Sequence, residues 1–153
     1  MSTTRTKTPR KAKTVLLIDD EAQWLDLIRE ALADESYKVI TANGGEAALK
    51  KLQRRTPDLI LSDVRMPILN GFDLFEKVRS NPKYSKIPYV FMSSLDDYDA
   101  KRTAREIGAD DYLEKPFDTE GIKNVVLNLL VRFKDKKVHQ KHVQHNQPTI
   151  KRV

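Results

Sequence analysis

The sequence predicts a doubly wound α/β domain, a five-stranded parallel sheet with helices on both faces. Two observations carry that expectation. Short, near-continuous apolar runs such as "VLLI", "LILS" and "YVFM" read as strands buried on both sides. Between them lie segments whose apolar residues recur at three and four, the spacing of a helix with one buried stripe. Strand and helix alternate five times, and parallel strands joined by helical crossovers are the economical way to bury both.

The elements follow in order. "TVLLID" is too short for a helix and gives the first strand. Glu21 to Ala33 is the first helix, with Leu25, Ile28 and Leu32 on one stripe and Trp24, Leu27 and Ala31 beside it. "YKVITA" is the second strand, and "GGEAALKKLQRR" a helix that turns Ala48, Leu49 and Leu52 inward. Asp58 to Ser62 is the third strand. Gly71 opens a helix carrying Phe72, Phe75 and Val78, closed by Asn81-Pro82. "IPYVFMS" is the fourth strand. Asp96 to Ile107 is a polar helix with little beyond Ala100, Ala104 and Ile107, ended by Gly108. "DDYLEK" is the fifth strand, and Ile122 to Phe133 the last amphipathic helix.

The 153 residues suffice for one domain with a real core. Their charge is unevenly placed. Residues 1–14 carry +5, residues 131–153 carry +6, and the middle carries −5, so the net +6 belongs to two ends around an acidic domain. A basic isoelectric point of this origin does not argue for a nucleic-acid-binding fold. The expected organisation is a disordered basic arm at 1–13, a domain at 14–134, and a flexible basic tail at 135–153. No run of apolar residues is long enough for a membrane span, and the absence of cysteine removes disulfides and thiolate metal sites. A cytoplasmic protein is expected.

Ligands of such a sheet bind beyond the carboxyl ends of its strands. The first strand ends in Asp19-Asp20, the third in Asp63, the fourth in Ser93-Ser94, and the fifth in Lys115-Pro116. Singly, each is an ordinary strand-end residue: Asp20 as a helix cap, Ser93 in a turn, Lys115 as a surface charge. Together they place three carboxylates and one ammonium on one edge. Two carboxylates about 4 Å apart repel by roughly 4 kcal/mol at an effective dielectric of 20. A cation relieves that, and an all-oxygen donor set suits Mg²⁺ or Mn²⁺ and not Zn²⁺.

With these residues in place, the chain resembles the receiver domain of bacterial two-component response regulators. The matching pieces are "LLIDDE", "DLILSDVRMPILNG", the "MSS" hydroxyl and "DDYLEKPF", in order and at matching spacings from Thr14 to Phe133. The resemblance implies a flavodoxin-like (βα)5 fold with strand order 2-1-3-4-5. It implies that Asp63 takes a phosphoryl group from the phosphohistidine of a sensor histidine kinase. Asp19, Asp20 and Asp63, with the backbone carbonyl of Arg65, would hold the metal. Lys115 would contact the phosphoryl group, aimed by a cis Lys115-Pro116 peptide. Ser93 would be the switch hydroxyl and Tyr112 the switch aromatic, turning inward as Ser93 is drawn to the phosphate. The output would be a contact with a downstream protein, or with a second copy, through the fourth helix, fifth strand and fifth helix. Arg65 and Ser94 depart from the commonest pattern and bear on the phosphoryl lifetime.

In that reading the protein is no turnover enzyme; it catalyses its own phosphorylation and dephosphorylation. The alternatives are a phosphorelay intermediate and the receiver fragment of a DNA-binding regulator, although no helix-turn-helix pattern follows the last helix. An aspartate-based phosphatase would need a second acid two residues past Asp63, where Arg65 stands. His139, His142 and His145 read as solvated tail, Trp24 as packing, and Tyr98 as surface.

Overall fold

A computed structural model describes residues 12–33 and 36–145, with side chains to Arg132. Five strands and five helices alternate: β1 (Lys13–Ile18), α1 (Ala22–Leu32), β2 (Tyr37–Ala42), α2 (Gly45–Arg54), β3 (Leu59–Asp63), α3 (Gly71–Ser80), β4 (Tyr89–Ser94), α4 (Tyr98–Glu106), β5 (Asp111–Lys115) and α5 (Thr119–His145). All neighbouring strands are parallel and the order is β2-β1-β3-β4-β5. This is the expected doubly wound, flavodoxin-like α/β fold.

Because strand side chains alternate between faces, the apolar runs feed two cores. Val15, Leu17, Leu59, Leu61, Val90 and Met92 face α1 and α5, where Leu25, Ile28, Leu32, Ile122, Val126 and Leu129 meet them. Leu16, Ile18, Ile60, Tyr89 and Phe91 face α2, α3 and α4. The three central strands are buried along almost their whole length, whereas β2 and β5 at the sheet edges are half-covered.

Several helix ends have identifiable causes. Asn70 caps α3 by accepting from the Asp73 amide at 2.9 Å, and Asn81-Pro82 stops it, as the sequence suggests. The polar helix α4 forms with Asp97 as its cap and only Ala100 and Ala104 buried. Gly108, at φ +84°, takes the left-handed turn that follows.

One boundary differs from expectation. The helix α5 continues to His145, so residues 135–145 are helical where a tail was expected to begin. The apolar period marks the stripe that docks on the sheet, and a helix can outrun that stripe. The expected arm at 1–13, apart from its last two residues, and the tail beyond His145 lie outside the described residues.

Candidate functional site

Among the described residues few polar side chains are buried, and most of them gather at one place. Asp19, Asp63, Ser93 and Lys115, from the carboxyl ends of β1, β3, β4 and β5, are all buried at the same sheet edge. Parallel register puts them there: Ile18 pairs with Ser62, Asp63 with Met92, and Ser93 with Glu114, so the strand ends come level. Asp63, Ser93 and Lys115 line an open crevice of about 500 Å³ that Trp24, Arg65, Ser94, Leu95 and Pro116 help to complete, and Asp19 lies buried behind Lys115.

The electrostatics of the crevice are unbalanced. Lys115 Nζ sits 2.6 Å from Asp19 Oδ2 and 3.5 Å from Asp63 Oδ1, so one ammonium serves two buried carboxylates. Asp20 adds a third, exposed. One oxygen from each of Asp19, Asp20 and Asp63 lies within 4.8 Å of the others. Asp63 carries the imbalance: burial and the nearby Asp19 push its carboxyl up from 3.8 to about 7, with Lys115 opposing. A cluster of hard oxygen donors with an excess of negative charge fits a small divalent cation such as Mg²⁺ or Mn²⁺. The Lys115-Pro116 peptide is cis.

Trp24 has a part here that its helical position does not reveal. Its ring lies under Lys115, with Nζ 4.8 Å from the centroid, and meets Phe117 edge-on at 5.4 Å. A cation over an indole face is held electrostatically, so Trp24 and Phe117 form a wall that keeps the Lys115 stem from swinging out. Expected as packing, Trp24 is packing against the site itself. The contact links α1 to the segment after β5, and no spacing within α1 signals it.

Lys115→Met keeps the length of the chain and removes the charge. Without metal the variant is expected to melt at a lower temperature, by about 1–2 kcal/mol of stability, because Asp19 and Asp63 are left facing each other. The loss is moderated because Asp63 can take up a proton. Adding Mg²⁺ should then stabilise the variant more than the wild type. Thermal melts with chelator and with Mg²⁺ check this, and equal melting of the two proteins without metal would refute the charge balance described above.

The far wall of the crevice is a network on Asp97. Its carboxylate accepts from Arg65 Nε at 2.9 Å and Arg65 Nη2 at 3.0 Å, from Ser93 Oγ at 3.1 Å, and from the Ala100 amide at 3.1 Å. The Arg65 hydrogen bond is the main reason that the Asp97 carboxyl is held down at about 2. Arg65 is thus a strut between the β3–α3 loop and the start of α4. Tyr112, expected outward until phosphorylation, already has its hydroxyl buried. Burial raises its phenol above the usual value, while the nearby Ser93 hydroxyl partly offsets this without closing a hydrogen bond.

The acceptor loop is equally constrained. Gly71 packs on the backbone of Asp63, and its carbonyl accepts from the buried Tyr89 hydroxyl at 3.1 Å. The turn after Met66-Pro67 closes with the Leu69 amide on Pro67 O at 2.8 Å, and Ile68 within it takes φ +70°. A β-branched residue there is strained, and Ile68 is also 89% exposed.

Among the described residues the expected site residues Asp19, Asp20, Asp63, Ser93 and Lys115 come together, with Arg65 and Tyr112 at the rim of the network. No helix of the described residues is long and apolar enough to cross a membrane.

Comparisons with known proteins bear on the family and the fold. Residues 15–127 match the family described as the response regulator receiver domain. The chain is 36% identical over 120 residues to the alkaline phosphatase synthesis transcriptional regulatory protein PhoP of Bacillus subtilis, covering 78% of this chain and 49% of that one. It is 32% identical over 149 residues to histidine kinase P4 of Formosa agariphila, covering 95% of this chain and 11% of that one. Its fold matches chemotaxis protein CheY4 of Vibrio cholerae with a TM-score of 0.71 at 31% identity, over 76% of this chain and 98% of that one. The chain spans from about a tenth to about a half of the length of the curated relatives it matches.

Proposed function

This chain belongs to the response regulator receiver domain family, and we propose that its own part in that family's signalling is to carry a phosphoryl group on Asp63. The observation that carries the proposal is the company of Asp63: two further acids and a buried lysine at the same strand edge, with its carboxyl pushed up to about 7 by burial and by Asp19. A site built this way favours a bound cation and, with it, an anionic group such as a phosphoryl.

In the proposed step a carboxylate oxygen of Asp63 attacks the phosphorus of a phosphohistidine on a sensor histidine kinase. The P–O bond forms as the P–N bond breaks; the electron pair leaves on the imidazole nitrogen, which takes a proton from solvent. Asp19, Asp20 and Asp63, with the backbone carbonyl of Arg65, would hold Mg²⁺ or Mn²⁺, which when bound would neutralise the carboxylates and one phosphoryl oxygen. Lys115 provides a fixed ammonium for a second oxygen, positioned by Asp19 and the Trp24 face. Ser93 provides a hydroxyl for a third. Phosphoryl transfer needs this positioning and charge neutralisation more than covalent help. The protein's chemistry is then confined to itself, with no external substrate turned over.

The readout would be the surface of α4, β5 and α5, where Lys101, Arg105, Tyr112 and Glu114 line a groove of about 520 Å³. A downstream protein, or a second copy of this chain, would dock there, in the cytoplasm. A second reading is that the chain is the receiver portion of a longer regulator or relay protein, favoured by its covering 49% of one transcriptional relative and 11% of one kinase.

The test is direct. Acetyl phosphate with Mg²⁺ is expected to add one phosphoryl group per chain, seen by intact mass and removed by hydroxylamine as an acyl phosphate should be. No label, or a label that resists hydroxylamine, would refute the proposal.

A further inference from the structure

The Ser93 hydroxyl has one proton to donate, and in this structure that proton is committed. It goes to Asp97 Oδ2 at 3.1 Å, away from the acceptor carboxylate. Ser93 cannot serve Asp97 and a phosphoryl oxygen together. Asp97 is well placed to keep it: the carboxylate is fixed by two bonds from Arg65 and one from the Ala100 amide, with its side chain only 17% exposed. The same carboxylate caps α4, so whatever displaces Ser93 also disturbs the start of that helix.

We propose that Asp97 is a positioning residue that opposes the switch: it competes with the phosphoryl group for the Ser93 hydroxyl, Arg65 clamps it in the competing position, and phosphorylation releases Ser93 from the cap of α4. The proposal rests on Asp63 being the acceptor. It gives Arg65 a role in setting how readily the switch moves, through Asp97. It also ties the site to α4 by hydrogen bonds already in place, independently of any rotation of Tyr112.

Beryllofluoride with saturating Mg²⁺ stands in for the phosphoryl group, and its affinity is read by calorimetry for wild type, Asp97→Asn, Asp96→Asn, Ser93→Ala, the Ser93→Ala/Asp97→Asn double variant and Asp63→Asn. Asp97→Asn keeps an oxygen to cap α4 but loses the charge that holds Ser93 and Arg65. It is expected to bind about five- to tenfold more tightly than wild type, the difference between a hydrogen bond to a charged acceptor and one to a neutral acceptor. Asp96→Asn removes a neighbouring negative charge that also lines the crevice but does not bond Ser93, and is expected to gain less than twofold. In a Ser93→Ala background the gain from Asp97→Asn should fall to the Asp96→Asn level, because the contested donor is gone. Hydrogen exchange in the first turn of α4 should rise on beryllofluoride binding in wild type and be already raised in Asp97→Asn.

Equal gains from Asp96→Asn and Asp97→Asn, or a gain that persists without the Ser93 hydroxyl, would overturn the competition. The Asp63→Asn protein is the blank for the premise. If wild type shows no saturable binding beyond that blank, the acceptor assignment fails; if it binds and Asp97→Asn does not differ, only the inference about Asp97 fails.

Discussion

Asp63→Asn is expected to accept no phosphoryl group and, without metal, to be more stable than wild type at neutral pH. The first effect follows from losing the nucleophilic oxygen, since an amide does not form the acyl phosphate. The second follows from the position of the carboxyl. In the fold it titrates near 7, against 3.8 when free, so the folded state holds a proton that the unfolded chain has released. The contribution to stability is whole below about pH 4 and is lost as pH rises through about 7. Wild type without metal should therefore weaken across that window relative to Asp63→Asn, which has no proton to lose there. Allowing for the solvent that reaches the crevice, the difference at pH 8 is about 2 kcal/mol. Melting both proteins in chelator at pH 5 and pH 8 checks it, with the gap between them expected to widen at pH 8. A variant that melts below wild type at pH 8, or that still carries a hydroxylamine-labile phosphoryl group, would count against the role given to Asp63.

The same residue shows why so much of the site is legible in the chain. A carboxylate at the end of "LILS" stands out because the run before it is wholly apolar, and parallel topology sends every strand end to one edge. Asp19, Asp20, Ser93 and Lys115 are found by that rule alone. The two cores are legible for a related reason, as period-two alternation assigns Leu16 and Leu17 to opposite faces before any helix is placed. What escapes is contact between elements whose patterns are independent. Arg65 and Asp97 are 32 residues apart, and only their packing makes a bidentate pair of them. Trp24 falls on the apolar side of α1 and reads as core, yet its ring supports Lys115. The inward hydroxyl of Tyr112 is a rotamer, which composition cannot fix. The end of α5 escapes because "KDKKVHQKH" has no apolar stripe, although nothing in it forbids a helix.

Gly71→Ala is expected to be the most damaging small substitution in the acceptor loop. A Cβ on Gly71 would lie 2.2 Å from the carbonyl oxygen of Asp63, 3.0 Å from Val64 Cα and 3.1 Å from Asp63 C. All three are backbone atoms, so no side chain can fold away to make room. Nor can Gly71 itself retreat freely: its amide donates to Val64 O at 2.9 Å, its carbonyl is held by Tyr89, and Asn70 anchors the helix that it starts. Either α3 lifts off the sheet or the end of β3 moves, and moving β3 moves the Asp63 carboxylate away from Lys115. The expected cost is about 3 kcal/mol of stability, at the upper end for overpacking. Phosphorylation by acetyl phosphate should slow by at least tenfold, since displacements near 1 Å can cost about a hundredfold in a positioned reaction. Gly44→Ala is the control, because its added Cβ meets nothing within 4 Å and its φ of 170° is open to any residue. Chemical denaturation and labelling rates of the two variants decide the matter. If Gly71→Ala unfolds at the same denaturant concentration as Gly44→Ala and labels as fast, then the contact between α3 and the acceptor backbone does not hold Asp63 in place.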